Sequence, residues 1–84
     1  MAKKSLSPIR PGVQPVRAVS VSPDGQSLAI GGVSPEIILC DAITGEFQAT
    51  LRGHADTVTD LEFSADGRSL LSVSLDGTLR RWTP

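Results

Sequence analysis

The sequence predicts an all-β fold in which one antiparallel sheet unit occurs twice, and three observations support this. The chain has 84 residues and matches itself without a gap when it is shifted by 42 residues, with seven identical positions. Apolar and polar residues alternate in short runs, which is typical of half-buried strands. Asp-Gly pairs follow several of these runs, and this dipeptide favours the tight turns of β-hairpins. The apolar residues do not follow helical spacing.

Each unit contributes a series of short predicted strands. In the first unit these are residues 16–22, 27–32 and 36–40, and residues 46–51 follow after a turn. The second unit repeats the series as residues 58–63, 69–74 and 78–82, and the shift lays residues 5–9 on 47–51. We therefore divide the chain into two sheet-forming repeats, residues 1–42 and residues 43–84.

Composition argues against several classes of function. The net charge is -1, from eight basic and nine acidic residues, whereas nucleic-acid binders normally carry a basic excess. Lys3-Lys4 and Arg80-Arg81 are isolated basic pairs without neighbouring aromatic residues on which bases could stack. No apolar run has the length of a secretory signal or a membrane span. We expect a cytoplasmic protein that binds neither nucleic acid nor a membrane.

Metal and cofactor sites are not expected either. Cys40 is the only cysteine, so neither an intrachain disulfide nor a cysteine-based zinc site can form. Gly31-Gly32 lacks the pattern of a phosphate-binding loop. The aspartates at the predicted turns are not surrounded by the spaced carboxylates of a calcium loop.

The second unit resembles one complete WD-repeat unit. The resemblance rests on Gly53-His54, the run Phe63-Ser64-Ala65-Asp66-Gly67, Asp76-Gly77 and the final Trp82. Trp82-Thr83 stands where the family has Trp-Asp, and the first unit has Cys40-Asp41 there. The resemblance implies a β-propeller, in which each unit is a four-stranded blade that packs between neighbouring blades.

This architecture predicts that copies of the chain must join. The second blade lacks a fourth strand, while residues 5–9 form a fourth strand without a blade of their own. The resemblance implies that this N-terminal strand closes the ring onto the last blade of the next copy, as a head-to-tail contact. Four chains would give eight blades and three would give six, and we favour the tetramer. The residues predicted to form this closure are Ser5, Leu6, Ser7, Pro8 and Ile9 against Thr78, Leu79, Arg80, Arg81 and Trp82.

His54 is the only histidine, and beside Asp56 and several serines it could suggest a hydrolytic triad. The resemblance implies a structural role instead, because the corresponding residues of WD repeats form a buried hydrogen-bond network. Carried onto this chain, that network consists of His54, Ser72, Asp76 and Trp82. We therefore predict no catalytic residue.

The partner-binding surface is also taken from the resemblance. WD-repeat proteins often bind partners at one mouth of the propeller's central channel. The residues involved are those at the start of the first strand of each blade and the residue before the aspartate of the turn between the second and third strands. In a ring of several copies, the Arg17 side chains would form a circle of positive charges at this channel mouth. Such a circle favours a partner protein or peptide with acidic groups. The corresponding residues are Pro15, Arg17 and Val33 in the first unit, and Thr57, Thr59 and Leu75 in the second.

The leading functional hypothesis is a non-enzymatic, self-assembling propeller that acts as a protein-interaction scaffold. One alternative is a structural assembly without a dedicated partner, formed by a natural, remnant or engineered propeller fragment. A lower alternative is an enzyme with its site at the channel mouth, which would need convergent acid, base or metal-binding residues.

Overall fold

A computed structural model describes residues 15–83, which form seven strands in two antiparallel sheets. The predicted strand 5–9 lies outside the described residues. Sheet 1 has the strand order β1-β2-β3-β4, and sheet 2 has the order β5-β6-β7. The strands are β1 (Val16–Val21), β2 (Ser27–Gly32), β3 (Ile37–Asp41), β4 (Phe47–Leu51), β5 (Val58–Phe63), β6 (Leu70–Ser74) and β7 (Leu79–Trp82).

Neighbours in sequence are neighbours in each sheet, so each sheet is a simple meander. The prediction of antiparallel, four-stranded sheets is confirmed for sheet 1. Sheet 2 has three strands within the described residues, with β5 and β7 as its edge strands. Across residues 15–83 no helix has the length and apolar character that crossing a membrane would require.

The first hairpin of each sheet is closed by the same turn. Asp24 Oδ1 accepts hydrogen bonds from the Ser22 hydroxyl and from the main-chain N–H of Gln26, the latter at 2.9 Å. The repeat-equivalent Asp66 does the same with Ser64 and Arg68. Gly25 and Gly67 follow with φ near +75°, a conformation that favours glycine. The Asp-Gly pairs therefore form the turns that the sequence predicts.

The two sheets pack face to face around a shared apolar cluster. Ala29 and Ile37 of sheet 1 meet Val58, Leu61 and Leu70 of sheet 2, and all five side chains are buried. We call the two surfaces that meet here the inner faces of the sheets. The first strands of the two sheets, β1 and β5, form most of this contact, and Phe63 N–H donates a hydrogen bond of 3.2 Å to Ser20 Oγ across it.

Side chains alternate along a strand, so each sheet also has an outer face. On sheet 1 this face holds a second apolar cluster of Ile30, Ile38 and Cys40, with Leu28 packed against it. Val19 pairs with Ile30, and Val21 pairs with Leu28, which extends the cluster along β1. Val19 and Val21 remain 57% and 53% exposed. Within the described residues this apolar face has no neighbouring sheet.

Candidate protein-binding face and its hydrogen-bond network

The structure brings the residues predicted to bind a partner together in two equivalent pairs. Val33 N–H donates to Pro15 O at 3.1 Å in sheet 1, and Leu75 N–H donates to Thr57 O at 2.9 Å in sheet 2. Both pairs lie beside the first strand of their sheet. Val33 and Leu75 are 42% and 66% exposed, so apolar side chains are available at this position in both repeats.

Arg17 and Thr59 occupy irregular positions that the sequence did not reveal. The β1–β2 register shifts between Val16 and Ala18, and the β5–β6 register shifts between Val58 and Asp60. One extra residue in each first strand is thus left without a cross-strand partner, as in a β-bulge. Both residues are exposed: the Arg17 guanidinium is accessible to another molecule, while the Thr59 hydroxyl donates to Val73 O at 3.3 Å.

His54, in the loop between β4 and β5, lies at the centre of a hydrogen-bonded chain that joins it to β6 and β7 of sheet 2. Trp82 Nε1–H donates to Ser72 Oγ at 2.8 Å, and that oxygen is 2.6 Å from His54 Nε2. His54 Nδ1 lies 3.1 Å from Asp76 Oδ2. Because the indole can only donate, the Ser72 hydroxyl is free to donate to Nε2, and Nδ1–H then donates to the carboxylate. The structure thus joins all four residues that the resemblance assigned to a network.

Asp76 connects this network to the loops at the binding face. Its carboxylate accepts hydrogen bonds from Thr78 N–H at 2.8 Å and from Ala55 N–H at 2.9 Å. The Thr78 hydroxyl also donates to Asp76 Oδ1. These bonds, with the Thr78 hydroxyl as the largest cause and the Ala55 N–H next, hold the pKa of Asp76 well below its usual range. Leu75 therefore precedes a residue whose position is fixed from several sides.

Sequence reasoning did not place Thr78 or Ser74 in this network. Thr78 Oγ1 lies 3.2 Å from His54 Nδ1, while Ser74 Oγ donates to Asp56 O at 3.1 Å. Ser74 Oγ also accepts the N–H of Asp76 at 3.1 Å. A hydroxyl two residues before and another two residues after a turn aspartate is the pattern that could have indicated them.

The first repeat lacks this chain of polar groups. Ile30 and Cys40 stand where the second repeat has Ser72 and Trp82, and both are buried on the outer face of sheet 1. Burial raises the pKa of the Cys40 thiol, with the nearby Asp41 carboxylate as a smaller cause. Apolar packing thus takes the place of the polar network in this sheet.

The geometry gives His54 no catalytic arrangement. Its side chain is fully buried, and each ring nitrogen has a hydrogen-bonding neighbour within the network. A general base must reach a substrate proton, which this position does not allow. Among residues 15–83, no three His, Cys, Asp or Glu side chains are grouped so that they could hold a metal ion.

Comparison with known proteins agrees with this geometry. The family described as "WD domain, G-beta repeat" matches residues 45–83, which include β5, β6, β7 and the whole network. The chain belongs to the WD-repeat family. WD-repeat proteins are typically non-enzymatic scaffolds for protein interactions.

Three relatives illustrate how much of a longer protein this chain spans. It is 43% identical over 80% of its length to Periodic tryptophan protein 2 of Arabidopsis thaliana. It is 38% identical over 84% of its length to Protein ROOT INITIATION DEFECTIVE 3 of the same plant. It is 39% identical over 73% of its length to U3 small nucleolar RNA-associated protein 21 of Saccharomyces cerevisiae. The chain spans only 7%, 16% and 6% of these relatives, respectively.

The turn aspartates predict an acid-sensitive fold. Hydrogen bonds lower the folded-state pKa of Asp24, Asp41, Asp66 and Asp76 below the value of about 3.9 in an unfolded chain. Their contribution to stability is fully present above that value, and is lost as the pH falls toward the folded-state pKa, because the unfolded chain then binds more protons. Urea unfolding at pH 6 and pH 3 should therefore give a lower midpoint at pH 3. Asp76→Asn should show a smaller difference, and an equal difference in both proteins would contradict this assignment.

Proposed function

We propose that this chain is a non-enzymatic protein-interaction module that works after several copies have joined into a closed β-propeller. The observation that carries the proposal is the outer face of sheet 1. It is apolar, half of the Val19 and Val21 surface is exposed, and a blade of this family is covered on both faces. A second copy is the partner that would cover it with the same kind of sheet.

Within residues 15–83, β7 is an edge strand of sheet 2, and this position supports the same proposal. An apolar groove of about 260 Å³ opens beside this strand, between Leu39 and Leu51 of sheet 1 and Phe63 and Trp82 of sheet 2. An edge strand offers unpaired main-chain groups to another strand. In the proposed ring, residues 5–9 of a neighbouring copy pair with β7. Four chains with eight blades remain our preferred ring, and three chains with six blades are the alternative.

The channel-mouth residues provide the proposed partner-binding face. Arg17, Val33 and Leu75 are exposed, and the paired main chains of Pro15–Val33 and Thr57–Leu75 hold this face in the same way in both repeats. A ring would repeat this combination of one guanidinium and two apolar side chains around its axis. A protein or peptide with acidic and apolar groups fits that combination best.

Solution mass followed by partner capture tests the proposal. Light scattering should give three or four times the chain mass of 8.8 kDa. The immobilised ring should retain a protein from its source extract, whereas Arg17→Glu should lose that protein without a change of mass, because the substitution reverses an exposed charge. Glu46→Arg is the control for charge reversal, since Glu46 is exposed in the turn between β3 and β4. A folded monomer would refute self-assembly, and equal capture by Arg17→Glu would refute the proposed face.

A further inference from the structure

The outer faces of sheet 1 and sheet 2 differ in composition. On β1, β2 and β3 the outer face of sheet 1 includes Val19, Val21, Leu28, Ile30, Ile38 and Cys40, and on β4 it continues with Thr50, which pairs with Ile38. The outer face of sheet 2 consists of Asp60, Glu62, Leu71, Val73, Leu79 and Arg81, which form cross-strand neighbours on β5, β6 and β7. Val73 and Leu79 are 39% and 64% exposed. The first face is apolar on β1, β2 and β3, whereas the second mixes apolar and charged side chains.

The repeat relates these faces to the contact already present inside the chain. A shift of 42 residues carries the outer face of sheet 1 onto the inner face of sheet 2: Val19 falls on Leu61 and Val21 on Phe63. The same shift carries the inner face of sheet 1 onto the outer face of sheet 2. The internal contact therefore indicates which residues would meet if the two outer faces packed together.

In the contact between the two inner faces, small residues of sheet 1 pack against large residues of sheet 2. Gly31 leaves no room for a side chain, because a Cβ atom there would lie 2.8 Å from Val58 Cγ1 and 3.4 Å from Leu61 Cδ1. Ser20 is small enough for its Oγ to accept the main-chain N–H of Phe63 at 3.2 Å. Sheet 1 thus supplies small side chains where sheet 2 supplies Leu61 and Phe63.

The outer faces reverse this distribution of size. Val73 stands at the position equivalent to Gly31, and Glu62 at the position equivalent to Ser20. On the opposite surface, the smaller Val19 and Val21 stand in place of leucine and phenylalanine. Val16, the equivalent of Val58, keeps its size, so the larger Val73 and Glu62 on one face are offset by the smaller Val19 and Val21 on the other. Close packing requires such compensation, since even one extra methylene is felt in a core.

We infer that the outer face of sheet 2 packs against the outer face of sheet 1 of a second copy, through contacts whose size relation is the reverse of the internal one. This inference rests on the self-assembly proposed above and assigns its residues. Val73 meets Val16 and Val19 of the second copy, the equivalents of the Val58 and Leu61 that Gly31 meets within one chain. The Glu62 carboxylate accepts the main-chain N–H of Val21, as Ser20 Oγ accepts that of Phe63 within one chain. The contact joins two different faces, so copies associate head to tail.

The test is to substitute the residues of this junction with the glycine and leucine that meet in the internal contact. Val73→Gly leaves a gap opposite Val19, and Val19→Leu overfills the space opposite Val73. Sedimentation velocity of the full chain over a range of concentrations should show that each variant alone weakens self-association about tenfold, equivalent to about 1.4 kcal/mol. The double variant recreates the internal pair of Gly31 and Leu61, and should associate within about threefold of the original chain.

Two further variants make the result interpretable. Val73→Ala also opens a gap but avoids the added flexibility of glycine in a strand, and should weaken association in the same direction. Ile43→Ala removes an apolar side chain that is 79% exposed in the turn between β3 and β4, and should leave association unchanged.

The remaining outcomes overturn either this junction alone or self-assembly as a whole. If the original chain associates but Val73→Gly, Val73→Ala and Val19→Leu do so equally well, this junction is wrong while self-assembly stands. The same holds if the double variant is as weak as the two single changes combined, or if only Val19→Leu has an effect, as contact between two sheet 1 faces would require. If the original chain is a monomer at all concentrations, self-assembly itself is refuted.

Discussion

Trp82→Ala is expected to lower the free energy of unfolding by about 3 kcal/mol, near the lower end for large-to-small substitutions of tryptophan. Trp82 is half-buried, packs against the shared cluster between the sheets, and donates to the buried Ser72 at 2.8 Å. Its ring also lies edge-on to that of His54, with centroids 6.2 Å apart. The substitution removes all three interactions at once.

Urea unfolding, compared at equal protein concentration, measures this loss. Trp82→Phe is the matched control, because it keeps an aromatic ring while it removes the indole N–H. It should cost about 1 kcal/mol, the net value of one hydrogen bond. If alanine and phenylalanine have the same effect, the packing of Trp82 between the sheets contributes little.

Gly31→Val is expected to destabilise the chain by about 2 kcal/mol through overpacking. The new Cβ atom would lie 2.8 Å from Val58 Cγ1 and 3.0 Å from Val58 Cβ. Val58 is fully buried and its β-branched side chain has little rotational freedom, so the two sheets must move apart. The strands themselves should persist, since valine favours extended backbone.

Unfolding by urea, followed by the fluorescence of Trp82, measures the effect. Ala29→Gly is a suitable comparison, because it makes a cavity in the same contact without widening it. If Gly31→Val is as stable as the original chain, the two sheets do not pack as closely as the structure indicates.

Most of the strand pattern could be predicted from the sequence. Two-residue alternation and Asp-Gly turns located all seven described strands with ends within one residue, as for the predicted 78–82 and the observed Leu79–Trp82. These patterns depend only on residues close together in the sequence, so they can be recognised without knowledge of the tertiary structure. The pairing of residues 5–9 with β7 stays a prediction, because those residues lie outside the described part of the chain.

The candidate site was predictable where it depends on side-chain identity and not where it depends on backbone irregularity. The network residues could be assigned through family resemblance, and the structure places His54, Ser72, Asp76 and Trp82 in one hydrogen-bonded chain. The register shifts that expose Arg17 and Thr59 have no distinct local sequence signal. The close approach at Gly31 depends on the neighbouring sheet, so alternation within one strand could not reveal it.

The turns closed by Asp24 and Asp66 bear on the order in which the chain folds. Their hydrogen bonds join residues at most five positions apart, such as Ser27 N–H to Ser22 Oγ. The bond from Phe63 to Ser20 spans 43 positions. Loop-closure entropy grows with the length of chain that is enclosed, so the two short hairpins are the natural nuclei and docking between them is the later event. Duplication of one unit thus supplies two independent starting points for folding within a single small chain.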